Sequence, residues 1–560
     1  GKDKKNQLFV LRTAGGEAVQ LTKHKTAVGT YRWAEDESAL FFTASIARTE
    51  EAEKEHKNGD DAIFVDEGPN GQQAGQWHTL WKFDLDAKKT IRLTKDSLRI
   101  GAFDVAPDGR RIVFTVRLEN RRNQGNFSEI HLLTLSDTDT TIIRLTENEA
   151  PEGQVRWAPD GRHVAFTAPD DKTWELRQAK IYVMDVDTRD HRLVSGAFEG
   201  NIRGFVWTPD SREILFTGLQ RTNSNLFRID VASGAVTQVT DVTGLLRVQS
   251  FSKDRSKMVY SFSDVATPSD FYVSPTDRLE PTRLTTANPG VTADSLVLAE
   301  AEVIQWKSKD GTEIEGLLLL PPGHDASEPL PLLLHIHGGP AGVFTNGFRA
   351  QYHVWAGLGY AQLLPTVRGS SGYTDALLRG NMHDIGGGDY QDLMTGVDHV
   401  IEQGIADAER LGVRGWSYGG ILGGWTITQT GRFKAASIGA MVSDWTSEYG
   451  PGFNFDVRRW YIGGTPWDNA DAWRNQSALT HVANITTATL LIHGMNDRTD
   501  TEQQSMMFFT AIKDIGKAPV RYMKFPREPH GFREPRHQRQ RDIEELRWIQ
   551  KYVLDYEWTP

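Results

Sequence analysis

Three side chains in the second half of the chain have residue types and an order suited to acyl transfer: Ser417, Asp497 and His530. Gly415-Trp416-Ser417-Tyr418-Gly419 has the Gly-x-Ser-x-Gly form, follows an apolar stretch and precedes a helical one, as a nucleophile elbow requires. By chance the pattern would arise about 0.3 times in a chain with this glycine content, so the match counts only through its context. The context is the order serine, acid, histidine, each just after a predicted strand. His530 would take the Ser417 proton and return it to the leaving group, while Asp497 would fix the imidazole tautomer. Asp500 is the competing acid. A developing oxyanion needs donors, and His337-Gly338-Gly339-Pro340 is placed to supply one from Gly339 or Gly338, with the Tyr418 N–H as the other. The competing reading of that loop is a plain tight turn.

Other conspicuous residues receive plainer readings. His335, His337 and His493 border buried strands and are expected to brace loops, and they lack the spacing of a zinc site, so no metal and no cofactor is expected. Most of the 16 tryptophans are core packing, with Tyr449, Trp460 and Tyr461 as candidates for a hydrophobic side-chain pocket. Cysteine is absent, which excludes disulfides and a thiolate nucleophile.

The elements that must carry these groups alternate short apolar strands with helices from about Glu302 onward, the pattern of a mostly parallel sheet covered on both faces. Strands are predicted over 332–337, 360–366, 411–416, 435–440, 489–493 and 520–525, and helices over 390–402, 418–430, 502–515 and 538–554. The region before about 290 is different. A phrase of the type Trp157-Ala158-Pro159-Asp160-Gly161 leading to Val164-Ala165-Phe166 occurs five times, alternating with an apolar strand that closes on Leu-Thr, with 181–194 a degenerate copy. Each full unit is the size of a propeller blade, and six are visible at least in part. A β-sandwich is the alternative. The expected fold is an all-β propeller of about seven blades, incomplete at its start, over 1–290, then an α/β-hydrolase domain over 291–560. Leu8 to Leu11 already reads as a strand, so the expectation is that a leader or first repeat lies upstream.

The formal charge of −11 and the absence of a basic stripe argue against nucleic acid as a partner. The apolar runs, such as 316–320 and 330–336, are far below the roughly 20 residues of a membrane span. The composition is compatible with a homo-oligomer and with a cytoplasmic, periplasmic or secreted location.

The motifs together resemble the prolyl oligopeptidase family, in its acylaminoacyl-peptidase and dipeptidyl-aminopeptidase-like branch. The likeness rests on the repeats, His337-Gly338-Gly339-Pro340, Arg368-Gly369-Ser370-Ser371-Gly372-Tyr373, Gly388-Asp389-Tyr390-Gln391-Asp392, Gly415 to Gly420, His493-Gly494-x-x-Asp497 and His530-Gly531-Phe532. It implies a serine peptidase whose propeller, of seven or eight blades, admits short or flexible oligopeptides and excludes folded proteins. Thr499-Asp500-Thr501 departs from the family's usual Arg-Val-Pro after the acid. Dipeptidyl members hold the substrate ammonium with a glutamate pair on a propeller insertion, a role that Glu50-Glu51 on a charged insertion could fill; the competing reading is a solvated hairpin. Alternatives on the same scaffold are an esterase or other acyl hydrolase, and a propeller binding module with an inactive hydrolase domain.

Overall fold

A computed structural model describes residues 5–64, 77–94, 98–117, 128–136, 139–147, 150–291, 296, 298–324, 328–452 and 455–559. In the first half, five antiparallel four-strand sheets follow one another along the chain, over 28–92, 99–144, 155–193, 201–238 and 245–283, the fourth and fifth joined into one eight-stranded sheet where Ser224 pairs in parallel with Leu245; the pair Phe9–Val10 and Val19–Gln20 precedes them. Within each sheet the strands pair in chain order. The two repeated phrases have separate physical causes. The aspartate of Pro-Asp-Gly folds the first turn, as where Asp108 Oδ1 accepts the N–H groups of Arg110 and Arg111. The closing threonine caps the third strand: Thr94, Thr146, Thr240 and Thr285 each accept, through Oγ1, the N–H of Leu80, Ile130, Leu226 and Phe271. Thr22 does the same for Leu8, and Ser195 replaces threonine in the degenerate copy, accepting Ile181 N–H at 2.7 Å.

The second half is built on one eight-stranded sheet: β1 Glu300–Lys307, β2 Glu313–Leu320, β3 Leu330–Ile336, β4 Ala361–Thr366, β5 Ala406–Trp416, β6 Ala435–Gly439, β7 Ala488–Gly494 and β8 Val520–Phe525. Their order is β1-β2-β4-β3-β5-β6-β7-β8, with β1, β2 and β4 joined antiparallel and the rest parallel. Helices Gly388–Glu402, Tyr418–Gln429, Glu502–Ile515 and Pro535–Leu554 cover the faces. β3, β6 and β7 are buried along nearly their whole length, as strands covered on both faces must be.

The β1–β2 pair was not predicted as strands, because Glu300–Lys307 is mostly exposed and carries no apolar run. β5 begins at Ala406 rather than 411, since Ala406 pairs with Leu330 despite its acidic neighbours. The last helix begins at Pro535 rather than 538; proline lacks only an N–H that the first helical turn leaves unbonded anyway. Among the described residues no helix is long and apolar enough to cross a membrane.

The halves meet through side chains. Gln178, buried in the third sheet's middle connection, accepts Gly372 N–H at 3.1 Å and donates to Tyr373 O at 2.7 Å. Asn201 donates to Ser371 Oγ at 2.7 Å, and Arg221 N–H donates to Gly372 O at 2.7 Å. Leu176, from the 3₁₀ turn Trp174–Leu176 of that same connection, is buried in the main core of the α/β half.

Candidate active site

Ser417 sits between β5 and the helix Tyr418–Gln429 with φ 61° and ψ −125°, a left-handed backbone that costs a non-glycine residue on the order of 1–3 kcal/mol. The turn closes only because its flanks lack side chains. A Cβ on Gly415 would lie 2.1 Å from Gly419 O, and one on Gly419 would lie 2.1 Å from Ile336 O. Trp416 then ties the elbow to the histidine loop: its indole N–H donates to His530 O at 2.9 Å, and its ring meets Phe532 edge-on at 5.1 Å.

His530 Nδ1 lies 2.7 Å from Asp497 Oδ2. Asp497 follows β7, and its other oxygen accepts the N–H groups of Thr499 and Asp500. Burial alone would raise its pKa, but hydrogen bonds from His493 and His530 outweigh burial and bring it to about 2. For His530 burial pulls the other way, and the hydrogen bond to Asp497 with the charge of Asp500 raises it above the ordinary histidine value. Ser417 Oγ and His530 Nε2 are not hydrogen-bonded in this structure; such bonds often tighten only when substrate binds. Asp500, the competing acid, points elsewhere and pairs with Arg458 at 3.2 Å. Arg458 also meets Glu448 Oε1 at 3.3 Å, and Glu448 accepts both the N–H and the hydroxyl of Thr501. The departure at Thr499-Asp500-Thr501 is thus filled by an arginine from an earlier helix and by a threonine that bonds the buried glutamate.

On the other side of Ser417, a Cβ on Gly338 would lie 3.3 Å from Ser417 Cβ, so this turn runs directly beside the nucleophile candidate. His337 Nδ1 lies 2.9 Å from Gly338 O and its Nε2 lies 2.8 Å from Ser370 Oγ. Ser371 donates through Oγ to Ala341 O and through N–H to Gly342 O. Tyr418 N–H opens its helix and has no intrahelical acceptor. The Tyr418 hydroxyl is buried against Asp389 and Asn381 Nδ2; burial raises the Asp389 carboxyl to about 7 although the Tyr418 hydrogen bond opposes it.

The other two histidines singled out in the sequence, His335 and His493, are buried connectors. His493 meets Ser505 Oγ, Asp500 O and Asp497, while His335 lies against Arg414 and Tyr352. Glu528, Glu534 and His537 bring ligand-type atoms within 4.8 Å of one another, yet those atoms are already bonded. Glu528 accepts His537 Nδ1 and the N–H groups of Arg533 and Glu534, and Glu534 takes Arg527 on both oxygens. The cluster braces the loop that carries His530.

The candidate substrate residues separate. Tyr449 packs edge-on against Trp467 and Trp473, each at 5.4 Å. Trp460 meets Trp174 of the β region at 6.3 Å, and the Tyr461 hydroxyl is buried without a partner among the described residues. Glu50 and Glu51 lie on a helix, Glu50–Asn58, that buries none of its residues, so the solvated hairpin of the sequence reading is in fact a solvated helix. Sequence reasoning missed Glu175. It stands beside Trp174 on the turn that enters the α/β half, and although part of it reaches solvent, burial raises its carboxyl to about 7. Its charge in turn raises Tyr461, second to burial. The only signal in the sequence is Trp174-Glu175-Leu176, two apolar residues in a connection otherwise polar.

Residues 346–555 match the model of the prolyl oligopeptidase family. The uncharacterized peptidase YuxL of Bacillus subtilis is 26% identical over 98% of this chain and 86% of its own length. Dipeptidyl-peptidase 5 of Porphyromonas gingivalis is also 26% identical, over 77% of this chain and 64% of its own length. Among solved structures, the acylaminoacyl peptidase of Pyrococcus horikoshii superposes with a TM-score of 0.83 at 23% identity, covering 99% of this chain and 86% of that one, and so shares its fold. The part of the α/β half that carries the site thus matches the prolyl oligopeptidase family model, and a peptidase relative aligns along nearly the full length of the chain.

Proposed function

We propose that the protein is a serine exopeptidase acting on short or unstructured peptides, with Ser417 as nucleophile, His530 as general base and then acid, and Asp497 as the group that orients the imidazole. The observation that carries this is the His530–Asp497 hydrogen bond of 2.7 Å on a loop tied by Trp416 to the strained turn at Ser417. Ser417 Oγ attacks the scissile carbonyl as its proton passes to His530 Nε2; the imidazolium keeps its Nδ1–H on Asp497 and returns the Nε2 proton to the departing amine. Water then repeats the sequence on the acyl-enzyme. His337 holds Gly338 O, so the Gly339 N–H of the same planar peptide points the opposite way. Gly339 and Tyr418 N–H are the proposed oxyanion donors, in preference to Gly338. In this reading the five sheets and the pair at 9–20 are propeller blades that limit access, and the two domains divide near residues 290 and 291.

Within the family, the dipeptidyl type is favoured by one feature: Glu175 places a half-buried carboxylate from the β region near Tyr461 of the α/β half, next to the contact of Trp174 with Trp460. That group, rather than Glu50 or Glu51, is suited to a substrate ammonium. The test is a peptide set with free and N-acetylated ends, read by mass spectrometry. The expected result is release of two-residue fragments from free ends, lost in Ser417→Ala, and a KM raised about tenfold for free ends only in Glu175→Gln, in line with removal of one charge-assisted bond. Cleavage confined to acetylated peptides would favour the acylaminoacyl type, and an intact peptide set would remove the peptidase reading.

A further inference from the structure

We propose that the face formed by the first strands of the third, fourth and fifth sheets of the β region is a binding site for carboxylate-bearing peptide segments. A concavity of about 410 Å³ opens there, lined by Arg156, Arg203, Arg247 and Arg255 with Gln154 and Gln249, and no aspartate or glutamate lines it. In a chain with a formal charge of −11, four guanidiniums without an acid in one hollow run against the overall balance.

Two of the four are occupied. Arg156 donates to Val155 O at 2.8 Å and is drawn to the half-buried Asp104, and Arg255 donates to Trp207 O and Ser252 O. Arg203 and Arg247 have no side-chain hydrogen bond or ion pair among the described residues. They stand on neighbouring first strands, Asn201–Trp207 and Leu245–Phe251, and both side chains are exposed. Even so, the walls of the hollow desolvate Arg203 and the charge of Arg247 repels it, and both effects lower its pKa. A carboxylate placed between them would relieve that repulsion, and the planar guanidinium fork matches carboxylate geometry with two parallel bonds. Phe251, half-buried on the same wall, supplies apolar contact for a peptide rather than for a bare ion.

The choice of peptide as the carrier rests on the peptidase reading above, so the test measures binding with the nucleophile removed. In Ser417→Ala protein, calorimetry compares a glutamate-rich peptide with its glutamine counterpart at low and high salt. The acidic peptide is expected to bind about fivefold more tightly at low salt, as for two exposed ion pairs, with the gap closing at high salt. Arg203→Gln with Arg247→Gln should abolish the difference, while Arg12→Gln, which removes a charge from an exposed position outside the hollow, should keep it. Equal affinities, a preference that survives the double substitution, or competition by inorganic phosphate as effective as by the acidic peptide would each overturn the proposal. If the unaltered protein cleaved no peptide, the function above would fall while this comparison stood.

Discussion

The two sides of Ser417 are held in different ways. On the acid side, every group that fixes Asp497 and His530 comes from the α/β half: His493, Asp500, Arg458, Glu448 and the brace of Glu528 with His537. On the oxyanion side, the turn at Gly338 is held by Ser370 and Ser371, and Ser371 with Gly372 is gripped in turn by Gln178, Asn201 and Arg221 of the β region. In the proposed mechanism, proton transfer is therefore wired within one half, whereas stabilisation of charge on the substrate depends on both. The difference separates residues whose loss should act on the chemistry from those whose loss should act through contact between the halves.

The largest test of the proposed acid side is its nucleophile. Ser417→Ala should lower kcat by on the order of 10⁴ to 10⁶ and abolish labelling by a fluorophosphonate, with thermal unfolding unchanged. Residual peptidase activity at the original rate would remove the comparison altogether. Asp497→Asn should cost about 10⁴ in kcat, because the imidazole is then held in the wrong tautomer. The same variant makes a pH prediction. Only neutral His530 can accept the serine proton, and its pKa is raised, chiefly by the Asp497 hydrogen bond against the opposing effect of burial. The acidic limb of kcat/KM should therefore lie above the ordinary histidine value and fall in Asp497→Asn. A limb that stayed in place would mean that another group titrates.

A stability measurement sharpens the autonomy of the acid side. Arg458 is the buried cation between Glu448 and Asp500, and burial already raises the pKa of both carboxyls against the pull of its charge. Arg458→Met should cost about 3–5 kcal/mol, the usual result of leaving buried charge uncompensated, seen as a lower melting temperature for the α/β half. A melting curve identical to that of the unaltered protein would show that solvent or a local shift replaces the guanidinium.

The contrast between the sides also explains what could be read from the sequence. The acid, the histidine and the elbow sit next to strand ends, and a short motif around each reports its place; β8 and the helix Glu502–Ile515 match their predicted limits. The repeats are legible because each closing threonine has the same local task of capping a strand N–H. Arg458, Gln178 and Glu175 gave no comparable signal. Asp500 lies 42 residues from Arg458, Tyr373 lies 195 from Gln178, and Tyr461 lies under 300 from Glu175 in the other half, and nothing in a local window marks an arginine or a glutamine as a buried connector. Glu50 and Glu51 drew attention for the opposite reason: a run of acidic residues is conspicuous in sequence and, on a helix that buries nothing, is solvated.

The smallest effect is the one that tests the oxyanion side. Gln178 touches neither Ser417 nor the proposed donors; it holds Gly372 and Tyr373, and Ser371 beside them holds Ala341 and Gly342. Loss of a direct oxyanion donor costs 10² to 10³ in rate, and loss of a group two contacts removed should cost less, about tenfold. Gln178→Ala should therefore lower kcat about tenfold with little change in KM, because a loosened donor weakens the transition state more than the bound substrate. The acidic limb set by His530 should not move, since no contact on the acid side involves Gln178. A shifted limb would mean that the two sides share a single scaffold, and an unchanged kcat would mean that the turn at Gly338 keeps its shape without the β region.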